Sequence, residues 1–171
     1  MTEIRRIREH DAAAVAELWD RMCRETPNGG PLSPRGRRNI RRMLEAAAWH
    51  RDTFCLVAVD GTEVTGFTVG TLDASGGLLP CSVGELQETY ASVADLRRRL
   101  TKAAAARLRE IGADTIRCTF DSDDTDQRDL LEGLGFEFDL ITMSHYDTDG
   151  GAAPDADQRG SESSIGAGPM G

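Results

Sequence analysis

The 171-residue chain carries 29 acidic against 20 basic residues, a formal charge of −9, with 39% hydrophobic residues. That length suits one domain with an adequate core, and the acidity excludes general nucleic-acid binding. No apolar run approaches a membrane span, and the N-terminal TEIRRIREHD lacks the apolar core of a secretory leader, so a cytoplasmic protein is expected.

The four cysteines, Cys23, Cys55, Cys81 and Cys118, form no CxxC pair. Most sit within apolar patterns, which predicts buried free thiols rather than a disulfide framework or a zinc site. Lys102 is the one Lys among 20 cations. An Arg bias with abundant Ala, Gly and Asp reads as genomic composition. An acidic surface favours a cationic partner without naming it.

In chain order, Thr2 to Arg8 predicts a first strand. Asp11 then suits the N-cap of a helix whose Ala14, Val15, Leu18, Trp19, Met22 and Cys23 keep 3/4 spacing. TPNGGPLSP is a breaker-rich loop. Ser33-Pro34 starts a second helix as cap and N1 proline. Its apolar face is Ile40, Met43, Leu44 and Ala47, and Arg35, Arg37, Arg38, Arg41 and Arg42 form an exposed basic face.

Phe54 to Val59 and Val64 to Leu72 predict two strands around a tight DGTE turn. Val83 to Tyr90 predicts the fourth. It runs with almost no loop into a long helix that Ser92 can cap and Gly112 can end. Unpaired N–H groups and a positive dipole end then lie beside a sheet, which suits a phosphate or pyrophosphate. Arg107 falls on that helix's apolar side and is read as snorkelling or pairing with a carboxylate.

Thr115 to Phe120 alternates as a fifth strand. Gln127 to Leu134 predicts a short helix stopped by Gly135, and Phe138 to Tyr146 a last strand. The tail from Asp147 has almost no large apolar residue and is expected to be disordered. Residues 1–146 are thus read as one mixed α/β domain, in the order β-α-α-β-β-β-α-β-α-β, and 147–171 as a tail. Asp121, Asp123, Thr125, Asp129 and Glu132 copy the spacing of a calcium loop, but Asp126 replaces its glycine and a strand precedes it. Those acids are read as helix caps, and no metal is expected.

That element order is the plan of the GCN5-related N-acetyltransferases (the GNAT superfamily), and three local stretches are similar to its patterns. VAVDGTEVTGFTVGTL resembles the second hairpin, REIGADTIRCTF the long helix entering strand five, and LLEGLGFE the closing helix with Leu134, Gly135 and Phe136. The resemblance implies a mostly antiparallel sheet of six or so strands flanked by four helices, and an acetyl-CoA cleft where strands four and five splay. Pantetheine would lie along Gln87, Glu88, Thr89 and Tyr90. The pyrophosphate would sit at Ala94, Asp95, Leu96, Arg97 and Arg98, within the span Ser92 to Arg98. The helix-two arginines could steer an anionic acceptor or reach the CoA ribose phosphate.

The sequence departs from the family at three points. The glycines of the family loop are missing from Ser92 to Arg97. Its frequent Asn after strand five falls at Asp124, and its thiolate-protonating Tyr falls at Leu131. Amine acetylation needs a base, a polarised carbonyl and a proton source. Glu85 and Glu88 are the base candidates. Three apart, they take opposite faces of an ideal strand unless a bulge intervenes. Tyr90, Tyr146, His145 and Cys81 are the substitute proton donors. The resemblance implies an acetyl-CoA-dependent N-acetyltransferase acting on a primary amine of a small molecule or protein, with homodimers through outer strands. The alternative is a catalytically inactive GNAT-fold module for ligand binding or protein interaction.

Overall fold

Runs rich in Val, Phe and Thr form a five-stranded sheet in the order β1-β2-β3-β4-β5. The strands are β1 Glu3–Arg6, β2 Thr53–Asp60, β3 Glu63–Asp73, β4 Val83–Ala91 and β5 Thr115–Cys118. The first three pairings are antiparallel, and β4 with β5 is parallel. The helices are α1 Ala12–Glu25, α2 Pro34–Ala47, α3 Ala94–Glu110 and α4 Thr125–Glu132. This computed structural model describes residues 2–26, 29–73, 81–120 and 124–137, all within the unit Met1–Glu137. The expected strand Phe138 to Tyr146 and the tail 147–171 lie outside the described residues. The mixed α/β class, four helices and mostly antiparallel sheet match expectation.

Alternation along β2 divides the core between two helical layers. Cys55, Val57 and Val59 pack with Val15, Leu18 and Leu44 of α1 and α2, and with Phe67, Val69 and Tyr90. Phe54 packs with Leu86, Ala104 and Leu108, while Ala58 meets Ala91, Leu96 and Leu100 on the α3 side. Phe67 is fully buried and stacks on Trp19 at 5.1 Å. Burial of such a ring contributes ~3 kcal/mol. Gly70 stands where a Cβ would meet the Phe54 ring at 2.6 Å, so the ring fills the place of a side chain.

The helix signals hold in part. Ser33 accepts from the Gly36 N–H at 3.0 Å, with Pro34 at the start of α2. Gly112 ends α3 with φ +109°, and Gly135 follows α4 with φ +84°. Two predicted caps fail. A 3-10 turn at Glu9–Asp11 precedes α1, and Asp11 turns back to the Arg8 N–H and the Arg5 guanidinium instead of capping α1. A buried carboxylate gains more from a guanidinium fork than from one helix N–H. Ser92 does not cap α3 either: Val93 takes the cap position, without a side-chain bond. β5 also ends at Cys118 rather than Phe120, and α4 starts two residues before Gln127, at Thr125.

Candidate active site

β4 is the element on which the site is built. Its ladder with β5 runs from Val83↔Thr115 to Leu86↔Cys118 and stops there. Beyond Leu86, the β4 edge that faced β5 has no strand partner among the described residues.

A bulge sits at the same point. Val69 pairs with Glu88 and Gly70 with Leu86, so Gln87 is the extra residue. The bulge switches the alternation: Leu86 faces the α3 core and Tyr90 the α1 core, although both numbers are even. Glu85 and Glu88 therefore share the α1 face, which an ideal strand forbids. The bulge that would place both on one face is present.

Glu88 lies just past the last β4–β5 pair. Desolvation by surrounding protein raises its pKa above the ordinary 4.5, although its side chain stays exposed. Its charge is felt by Cys118 of β5 and Cys23 of α1. Burial, helped by Glu88 and opposed by Gln127, pushes the Cys118 thiol up to about 11. Burial first, then Glu88 and Asp20, raise Cys23. Both thiols are therefore protonated at neutral pH, and Glu88 is the carboxyl with a raised pKa beside them.

Tyr90 is placed differently from a cleft acid. Its ring packs against Phe67 at 6.2 Å, and its hydroxyl donates to Glu25 Oε2 at 2.9 Å. Burial, then that bond, raises its pKa. Thr89 points to the other face, where its hydroxyl meets that of Thr68 at 2.7 Å. A cavity of about 470 Å³ lies by Tyr90 and Ser92 on the α1 side, walled by Glu17, Arg21 and Glu63. Glu88 does not line it.

The start of α3 follows β4 after two residues, Ser92 and Val93. With no side-chain cap, its first N–H groups face outward. Leu96 is buried in the core, whereas Ala94 and Asp95 are exposed. Asp95 complements the helix dipole and opposes an incoming anion. Arg98 donates to the Gly133 carbonyl at 2.9 Å and Arg99 to the Thr2 carbonyl at 3.1 Å. Arg97 keeps a buried Nε without a hydrogen-bond partner among the described residues.

Asp124 caps α4, accepting from the Gln127 N–H at 2.9 Å. Leu131 is buried at 3% exposure. Arg107 pairs with Glu110 at 3.2 Å, as its edge position suggested. Among the described residues no group of His, Cys, Asp and Glu is placed to hold a metal. Thr125, Asp129 and Glu132 lie on α4 rather than in a loop, and Asp121 and Asp123 lie outside the described residues. His145 and Tyr146 lie outside them too.

The sequence does not single out Glu25, Gln127 or Asp20. Asp20 is 4% exposed and accepts from the Leu32 N–H at 2.7 Å and from Arg37 at 3.2 Å, with Arg24 as a third partner. It ties the entry of α2 to α1. Its signal was an acid beside the apolar stripe of α1, where burial demands partners.

No protein-family model and no curated protein matches the sequence. Solved structures do match. An aminoglycoside N-acetyltransferase solved in complex with CoA shares 13% identity, covering 86% of this chain and 95% of its own, at TM-score 0.69. A chain from Arthrobacter sp. FB24, provisionally assigned as an acetyltransferase, shares 25% identity over 84% of this chain and 93% of its own, at TM-score 0.67. A transcriptional regulator from Bacillus halodurans C-125 shares 17% identity over 85% of this chain and 99% of its own, at TM-score 0.68.

Proposed function

Because the chain has the fold of the GCN5-related N-acetyltransferases, we propose that it transfers an acetyl group from acetyl-CoA to a primary amine of a small molecule or protein. The observation that carries this reading is the end of the β4–β5 ladder at Leu86 and Cys118, with Glu88 immediately beyond it. The fit to acetyl-CoA is partial but specific. The β4 edge at Gln87 to Tyr90, beyond the last described β4–β5 pair, offers peptide groups to a pantetheine arm. The uncapped first turn of α3 at Ala94 to Leu96 offers backbone donors to a pyrophosphate. The solved aminoglycoside enzyme with CoA supports the same choice of co-substrate.

In this reading Glu88 is the base, directly or through one water. The amine nitrogen attacks the thioester carbon, Glu88 takes the proton that nitrogen loses, and the C–S bond breaks to give the amide and a thiolate. Glu85, on the same face, is the second candidate. A thiol pKa of about 8.5 makes the thiolate a competent leaving group without a dedicated acid. The Tyr90 hydroxyl is engaged with Glu25, and Leu131 has no proton to give. Positioning supplies the larger share of rate enhancement.

Calorimetry with acetyl-CoA tests the reading: a saturable isotherm is expected, and none at high co-substrate would overturn it. Thiol release with a panel of primary amines then tests transfer. A second reading, a binding module without transferase activity, is favoured by the glycine-free two-residue link between β4 and α3. Saturable acetyl-CoA binding with no thiol release across the panel would select it.

A further inference from the structure

α2 turns a basic stripe away from the core. Arg35, Arg38 and Arg42 are spaced three and four apart, so they share one side of the helix over about 10 Å of its length. All three are exposed, and Leu44 and Ala47 are buried on the opposite side. The neighbouring arginines are engaged: Arg37 with Asp20 at 3.2 Å and Arg41 with Glu45 at 2.9 Å. Arg35, Arg38 and Arg42 have no ion pair among the described residues.

The stripe leads to Trp49, just past the helix end and 77% exposed. Its indole N–H donates to Glu9 Oε1 at 3.1 Å, which restrains the ring on the surface. Like charges at this spacing weaken a helix, so the stripe is held against its own repulsion. Arg and Trp together are the residues that dominate binding at protein interfaces.

We propose that this stripe docks an acidic protein segment: a helical stretch with carboxylates at matching spacing and an apolar side chain for Trp49. Charge complementarity selects that occupant. Fields decay over about 8 Å in physiological salt, so a short segment on α2 senses the arginines. A long nucleic acid would also meet the other charges of a chain whose formal net charge is −9. The proposal stands without transferase activity.

The test uses the full chain and a fluorescein-labelled synthetic helical peptide with Glu at positions i, i+3 and i+7 and Leu one turn beyond. Anisotropy should rise saturably and weaken as salt increases. Arg38→Glu with Arg42→Glu should weaken binding about tenfold or more, and Trp49→Ala by about fivefold. These substitutions are at the surface, and unchanged circular dichroism verifies their folding. Arg38→Gln, neutral rather than reversed, should give an intermediate loss. An absent rise, or equal binding by the double Glu variant, overturns the proposal. So does tighter binding of a single-stranded oligonucleotide, or self-association of the chain that the same double variant abolishes.

Discussion

Glu88 of β4 is a carboxylate that its surroundings partly desolvate. Desolvation raises its pKa, so the folded chain favours the protonated carboxyl. The stability sign follows: the folded state binds the proton more tightly, so stability falls as pH rises from about 4.5 through the folded value. Glu88→Gln should melt higher than the parent at pH 7.5, with the difference vanishing below pH 4, as scanning calorimetry would show. In the proposed reaction Glu88 must be ionised. Activity should climb with pH along a limb displaced above the ordinary carboxylate range, and Glu88→Gln should lower kcat about 100-fold while sparing acetyl-CoA affinity. Loss of affinity instead would assign Glu88 to binding.

Asp11 has the opposite sign. The hydrogen bond from Arg5, opposed by burial and aided by the Arg8 N–H, holds its pKa below 3.8. Its contribution is present above that value and lost as pH falls through the folded one. Asp11→Asn should cost about 2 kcal/mol in urea unfolding at pH 7, with the difference shrinking in acid.

At the scale of elements, the β4–α3 junction is where the proposed co-substrate would bind. The first turn of α3 is uncapped because a two-residue link delivers Val93, not Ser92, to the cap position. Val93→Ser should stabilise the unliganded chain by about 1 kcal/mol, read as a higher denaturant midpoint. The same hydroxyl would occupy an N–H that the proposed pyrophosphate needs, so acetyl-CoA should bind more weakly. Both effects together test the site more sharply than either alone. On the sheet, Gly70→Ala places a methyl 2.6 Å from Phe54 Cζ. It should destabilise by about 2 kcal/mol, and Phe54→Leu in the same chain should recover part of that loss.

Among the described residues, the sheet carries one hydrophobic face for α1 and α2 and another for α3, and the proposed site lies where the β4–β5 ladder ends. Asp20 joins α1 to the chain entering α2. Burial raises its pKa, but the Leu32 N–H, Arg24 and Arg37 outweigh that and leave it below 3.8. Acid should therefore loosen the α1–α2 layer as pH falls below that value, and Asp20→Asn should blunt this dependence in a pH series of thermal melts. The sequence by itself determined the element order from β1 to α4, the Ser33-Pro34 start of α2, the glycine stops and the apolar faces, because these depend on residues a few positions apart. It also named Glu85 and Glu88, since carboxylates on a strand stand out locally. Only the tertiary structure decided that a bulge at Gln87 aligns them, that Tyr90 answers to Glu25, and that Asp11 serves Arg5 rather than α1. Each of those depends on a partner from another element or on strand register, and a side chain's neighbours across a sheet or helix layer are not written in the spacing along the chain.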